Sequence, residues 1–387
     1  MKTSIQHHFI YGALLLGSLS AGAPAADTVP AEKPPVPPER PLVQLALLLD
    51  TSGSMNGLIS QAKQQLWQIV NEFITARQDG DAPRVEVALY QYGNDRLSSE
   101  NGWIEQLSPL TQDLDQLSEK LFALGTSGGD EYCGWVIREA VEKLAWDRSP
   151  KVYKAIFIAG NEPFAQGPVA FGPVCKGAIE RDIIVNTIHC GNEADGIRGG
   201  WKDGAALADG RFLTINHNAQ VANITAPQDR EIAEVNAKLN ATYLAFGAQG
   251  VEGKRRQEAQ DLNAAQAPAP ASVVASRAKT KASANYTNAS WDLIDALQVQ
   301  EIALENLKEE ELPEELRGIE PAKRQAVIDE KKAERAQLKA RLLELSAERE
   351  KSVAAERQKI QSETLDEAVT ATVRKQAARK AFKFGQK

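Results

Sequence analysis

Val43-Gln-Leu-Ala-Leu-Leu-Leu49-Asp50-Thr-Ser-Gly-Ser54 is the stretch on which the fold turns. Its first seven residues are almost continuously apolar, as a strand covered on both faces must be. The run stops at an aspartate and gives way to a serine- and glycine-rich loop. Apolar residues then recur at helical spacing: Ile59, Ala62, Leu66, Ile69 and Phe73, predicting a helix over 58–76. The alternation continues outward. Strands are expected at 85–90, 152–158, 183–188 and 211–215, with a short edge strand at 103–110. Helices are expected at 114–124, 132–146, 176–181 and 202–207, and from Arg230, where Ile232, Val235, Leu239 and Tyr243 share a face. Strands alternating with helices predict an α/β, doubly wound, mostly parallel sheet of Rossmann-like class. Right-handed crossovers then gather the loops that follow the strands along one edge, where ligands bind.

The flanks differ in character. Lys2, a short apolar run over 9–19 and Ala23-Pro-Ala25 have the pattern of a secretory signal peptide over 1–25. The run is too short to span a bilayer, and no cysteine follows it to carry a lipid. A soluble periplasmic or secreted protein is the expectation. Residues 26–41 hold Pro30, Pro34, Pro35, Pro37, Pro38 and Pro41, a stiff linker. The α/β domain occupies 42–250. Residues 251–290, rich in Ala, Gln, Asn, Ser and Lys, read as a low-complexity linker with little core-forming capacity. Residues 291–387 read as a charged helical tail. Leu338, Leu342 and Leu345 have the 4–3 spacing of a coiled coil, but Arg349 takes the next core position. Self-association through this tail is one candidate role. The basic residues of 374–387 read as a solvated helix face.

Bulk properties narrow the function. The 387 residues carry a net charge of −7, which argues against nucleic acid as the main partner. Past the signal peptide, His189 and His217 are the histidines and Cys133, Cys175 and Cys190 the cysteines, with no C-x-x-C; this gives little support to a zinc site. Export permits a disulfide, and the odd count leaves a thiol over. Cys175 opens a helix leaving the ligand edge and Cys190 ends the strand returning to it, so 175–190 is the candidate pair. Cys133 could replace either partner, and three buried thiols are the alternative.

The chemistry lies in the loop after the first strand. Asp50 offers an anionic oxygen, and Ser52 and Ser54 offer hydroxyls that a tight turn at Gly53 can converge on one ion. Mg2+ or Mn2+, with Ca2+ as a third choice, favour such oxygen donors. The structural alternative is a serine-rich turn capping a helix near Asn56.

Asp50-x-Ser52-x-Ser54 after an apolar strand resembles the metal-ion-dependent adhesion site of von Willebrand factor type A domains. The resemblance covers 43–247. It implies that Asp50 orients waters and hydroxyls, that Ser52 and Ser54 bind the ion directly, and that a threonine of a second loop joins them. Thr126, in Thr126-Ser-Gly-Gly-Asp130-Glu131, is the residue so placed. The family also supplies an aspartate after its fourth strand, often within Thr-Asp-Gly-Glu-Pro. This chain has Ala159-Gly160-Asn161-Glu162-Pro163, with Gly160 at the aspartate position. Asn161 and Glu162 are the candidate substitutes. Asp130 and Glu131 are candidate acceptors around the ligands, Glu131 alternatively a first-turn helix carboxylate. The segments Gly160-Asn-Glu-Pro-Phe164, Asn186-Thr-Ile-His-Cys190-Gly, Leu239-Asn-Ala-Thr-Tyr243 and Glu311-Leu-Pro-Glu-Glu-Leu-Arg317 are similar to an exported bacterial group of type A proteins.

The function so implied is a metal-dependent adhesion or scaffolding module, not an enzyme, holding a protein partner by an acidic or polar group. A degenerate, metal-free scaffold working through its tail is the second reading. A metal-assisted hydrolase is the third. Against it, the chain has no phosphate loop, and His189, its sole histidine candidate for a base, is more simply a wall of the site.

Overall fold

β1 (Leu42–Asp50) is buried along its whole length. Its pleat explains the unbroken apolar run: Val43, Leu45, Leu47 and Leu49 enter one core, while Ala46 and Leu48 enter another on the opposite face. The computed structural model describes residues 40–56, 59–60, 68–69, 71–215, 224–267, 269–300, 302–358 and 365–384. The expected signal peptide and nearly all of the proline-rich segment lie outside them. The helix expected over 58–76 is described in part, and 59–60, 68–69 and 71–72 are helical.

Five further strands join β1 in one sheet: β3 (Arg84–Tyr92), β4 (Ile104–Thr111), β5 (Tyr153–Gly160), β6 (Ile184–Cys190) and β7 (Phe212–Ile215). Their order is β4-β3-β1-β5-β6-β7. All pairings are parallel except β3 with β4. That antiparallel register slips on both sides of Leu89, which pairs with Ser108 beside Pro109, a residue tolerated in a strand only at an edge. The order reverses between β1 and β5, so the crevice at the strands' C-terminal ends opens beside Asp50 and Gly160. On the Val43 face lies α1 (Leu114–Ala123). The other face is closed by α2 (Cys133–Lys143), α3 (Phe171–Glu180) and α5 (Trp201–Leu207), with α4 (Glu193–Arg198) at the rim.

The C-terminal third covers the domain. After α6 (Asp229–Asn240) come α7 (Gly250–Ala265) and α8 (Pro270–Ala282), where the composition suggested a linker over 251–290. That expectation is corrected: Ala264, Val273, Ala275, Ala278 and Ala282 belong to the same core as β1. Alanine favours helix and lets α8 approach closely. The polar residues that suggested solvent are paired inside. Arg277 binds Asp115 at 2.8 Å and also Asp261, and Lys281 meets Asp261 at 2.8 Å.

Beyond α9 (Leu293–Gln298) runs the long helix α10 (Pro321–Gln358). Its coiled-coil leucines pack inward: Leu342 and Leu345 are in the main core and Leu338 lies against it. Arg349, which breaks the heptad, binds Asp229 at 2.5 Å and the Ile224 carbonyl at 3.0 Å. The last helix, α11 (Leu365–Ala378), inserts Gln376, which accepts from the Tyr153 hydroxyl at 2.8 Å and donates to Asn186 at 2.7 Å. The final strand β8 (Lys383–Phe384) pairs with β2 (Ala76–Arg77). The basic run expected as a solvated face is partly tied down, Arg374 to Glu72 at 2.7 Å and Lys380 to Asp182 at 2.5 Å. Among the described residues no helix is long and apolar enough to cross a membrane.

Candidate metal centre

Three loops meet at the sheet's C-terminal edge. The Thr51 amide donates to the Tyr92 carbonyl at 2.8 Å, and the Ser127 amide donates to the Thr51 carbonyl at 3.0 Å. Asn94 clamps them, its Nδ2 donating to the carbonyls of Thr51 (3.2 Å) and Gly125 (3.0 Å). Asn94 escaped the sequence reading. The available signal was a Gly-Asn pair directly after a strand on the ligand edge.

Asp50 is wholly buried. Its Oδ1 accepts from the Ser52 amide at 2.7 Å, while Oδ2 has no hydrogen-bond partner among the described residues. Burial pushes this carboxyl up to about 7, with the Glu162 charge adding and hydrogen bonds from Ser52 opposing. The Ser52 and Ser54 hydroxyls are 3.0 Å apart, and Ser54 donates to Asn161 Oδ1 at 3.0 Å. Ser52 occupies the N-cap position of a 3₁₀ turn, Gly53–Met55, without a side-chain capping bond, so capping does not account for the serines. Ser52 is buried and Ser54 exposed, so the site opens to solvent at Ser54.

These donors fit a small divalent cation. Two oxygens at right angles around Mg2+, with bonds of about 2.1 Å, lie about 3.0 Å apart. The serine hydroxyls have that spacing, beside a buried carboxylate oxygen in want of a partner. Among the described residues no group of three or more His, Cys, Asp and Glu side chains has metal-holding geometry, so the hydroxyls are central to any site here.

Strand order, antiparallel edge strand and an Asp-Ser-Ser loop at the end of β1 now stand together. The α/β body has the von Willebrand type A fold. No family model and no curated protein matches the chain. Among solved structures it is similar to the protein BatB from Bacteroides thetaiotaomicron, at 16% identity and TM-score 0.34, over 45% of this chain and 90% of that one. It is likewise similar to the SpRpn10 VWA domain, at 17% identity and TM-score 0.36, over 46% of this chain and 90% of that one. A third is proximal thread matrix protein 1 from the mussel byssus, solved with a zinc-occupied MIDAS motif. Identity there is 14% and TM-score 0.35, over 46% of this chain and 43% of that one. Each likeness is remote, and the fold assignment stands on the strand order and the β1 loop.

The type A pattern is altered at Gly160. A Cβ there would lie 2.5 Å from the Tyr92 hydroxyl, 3.0 Å from the Trp201 ring and 3.1 Å from Asp50 Oδ2. The Tyr92 hydroxyl, donating to the Ala159 carbonyl at 2.9 Å, fills the space a side chain would need. Asn161 reaches the serines. Glu162 is engaged through its backbone carbonyl, which accepts from Trp201 Nε1 at 2.8 Å.

On the second loop Glu131 is 6% exposed and approaches Gly93, as Asp50 does. Both side chains flank Gly93, whose Cβ would fall 2.8 Å from Glu131 Cγ and 2.9 Å from Asp50 Oδ1. Burial, then the charges of Asp50 and Glu162, push the Glu131 carboxyl up to about 7 against a hydrogen bond from Ser52. Thr126 is half-buried, with no hydrogen bond to Asp50, Ser52 or Ser54 among the described residues. Asp130 is exposed and accepts from the Tyr132 hydroxyl at 3.3 Å.

The expected Cys175–Cys190 disulfide is not formed, and all three cysteines are free and buried. Cys190 points into the core on the Val43 face, whereas Cys175 and Cys133 lie in the core on the other face. The pleat of β6 thus puts the sheet between the expected partners. Cys133 instead meets the Tyr92 hydroxyl at 3.7 Å. His189 is buried beside Trp201, ring centroids 5.6 Å apart, and burial lowers its pKa. It forms a wall.

Proposed function

We propose that Ser52 and Ser54, oriented by Asp50, hold a divalent cation, and that this edge of the type A domain uses it to bind a protein partner through an acidic or polar group. The observation that carries the reading is the hydroxyl pair at 3.0 Å beside the unpartnered buried oxygen of Asp50. A cation there would supply charge for a partner oxygen and relieve the burial of a bare carboxylate. The N-terminal pattern supports export, so the partner is sought among periplasmic or extracellular proteins. The apolar seam of α10 is packed within this chain, which favours the binding edge over the tail as the working surface.

The test is a capture experiment with the immobilised full chain. A specific partner should be retained in Mg2+, released by EDTA, and not retained by the Ser52→Ala/Ser54→Ala variant. Retention of the same partner by the variant, or in EDTA, would overturn the proposal.

A further inference from the structure

A dication among one carboxylate and two hydroxyls keeps net positive charge in a sheltered place. The position after β5 that would neutralise it is Gly160, and Gly160 has no room for a side chain. The neighbouring loop has a carboxylate at hand. Glu131 is buried and, with Asp50, closes onto the bare face of Gly93. Gly93 has φ +78°, a conformation suited to glycine, and a side chain there would wedge between the two carboxylates. Two buried acidic groups flanking one glycine repel one another, which a shared cation reverses. Asp50 Oδ2, buried and unpartnered, is the independent sign that the pair awaits a positive ligand.

We propose that Glu131 is the second anionic group of the cation site, standing in for the carboxylate that Gly160 cannot carry, and that Thr126 is not a ligand. This rests on the cation reading of Ser52 and Ser54. The substitution moves the negative charge from the loop after β5 to the loop before α2. It leaves the Asn161 side free, so the partner's oxygen approaches over Ser54 and Asn161, where the site is open.

Mn2+ titration calorimetry on the full chain tests this. Wild-type protein should bind one ion, Ser52→Ala/Ser54→Ala none, Thr126→Ala as wild type, and Glu131→Gln at least about tenfold more weakly. Glu131→Asp, which keeps the charge on a shorter arm, should fall between. A folding control is thermal unfolding in EDTA, where Glu131→Gln should melt no lower than wild type because it removes one of two repelling carboxylates. Wild-type affinity in Glu131→Gln, with binding still lost in the serine variant, would overturn the assignment of Glu131 alone. Loss of binding in Thr126→Ala would restore the threonine as ligand and overturn it too. Absence of binding by wild type would overturn the cation reading and this inference together.

Discussion

Gly160 shows how one neighbour can rewrite a motif. The Tyr92 hydroxyl, the Trp201 ring and Asp50 crowd the point where its Cβ would stand. Placing an aspartate there, as in the motif this loop resembles, should therefore harm. Gly160→Asp is expected to lose on the order of 2 kcal/mol of stability through overpacking, seen as a lower urea midpoint, with no gain in Mn2+ affinity. Tighter binding at an unchanged midpoint would show that the space can open. The convergence of Asp50, Ser52 and Ser54 was legible in the sequence because they are neighbours on one loop. The meeting of Glu131 and Asp50 at Gly93 was not, since it depends on contacts between loops distant in the chain. The 175–190 pairing failed for a related reason: edge proximity was readable, but the side of the sheet each thiol faces was not.

The elements divide in the same way. Strands β1, β3, β5 and β6 announced themselves by apolar runs that only a doubly covered sheet can bury. Helix α8 did not, because Arg277 and Lys281 look like solvent-facing residues until Asp115 and Asp261 are placed beside them. Burial alone would raise the Asp261 carboxyl, but the charges of Lys281 and Arg277 outweigh it and hold that group well below the usual carboxylate range. Its folded pKa lies below its unfolded one. Its contribution is therefore full above the unfolded value and is lost as pH falls from about 5 toward the folded pKa. Urea unfolding of wild type should lose stability across that window, and Asp261→Asn should flatten the decline. An equal decline in both proteins would locate the acid sensitivity elsewhere. Helix α10 is anchored similarly. Arg335 donates to Asp292 at 2.6 Å, to Asp295 at 3.1 Å and to the Thr242 carbonyl at 2.6 Å, and lies 4.0 Å over the Tyr243 ring. Arg335→Ala leaves buried carboxylates unpaired and should cost about 3–5 kcal/mol in chemical denaturation. A loss under about 1 kcal/mol, the range of exposed pairs, would mean that water replaces the guanidinium.

At the scale of the molecule, the type A domain and its helical cover share one core. Leu45 and Leu47 of β1 belong to the same apolar cluster as Val273, Leu342, Leu345, Val373 and Phe382. A fragment of 40–250 would expose that face, so it should aggregate or fail to unfold cooperatively, as judged by size-exclusion chromatography and thermal melting. A monomeric, cooperatively melting fragment would contradict the shared core. The cover leaves the C-terminal edge of the sheet, with the exposed Ser54, as the face where the proposed chemistry sits. The most direct measurement is therefore made on the intact chain: calorimetric titration with Mg2+ and Mn2+, beside the Ser52→Ala/Ser54→Ala variant. Saturable binding by wild type that vanishes in the variant is the predicted result. Equal heats from both proteins, or none from either, would contradict a cation site built on those two hydroxyls.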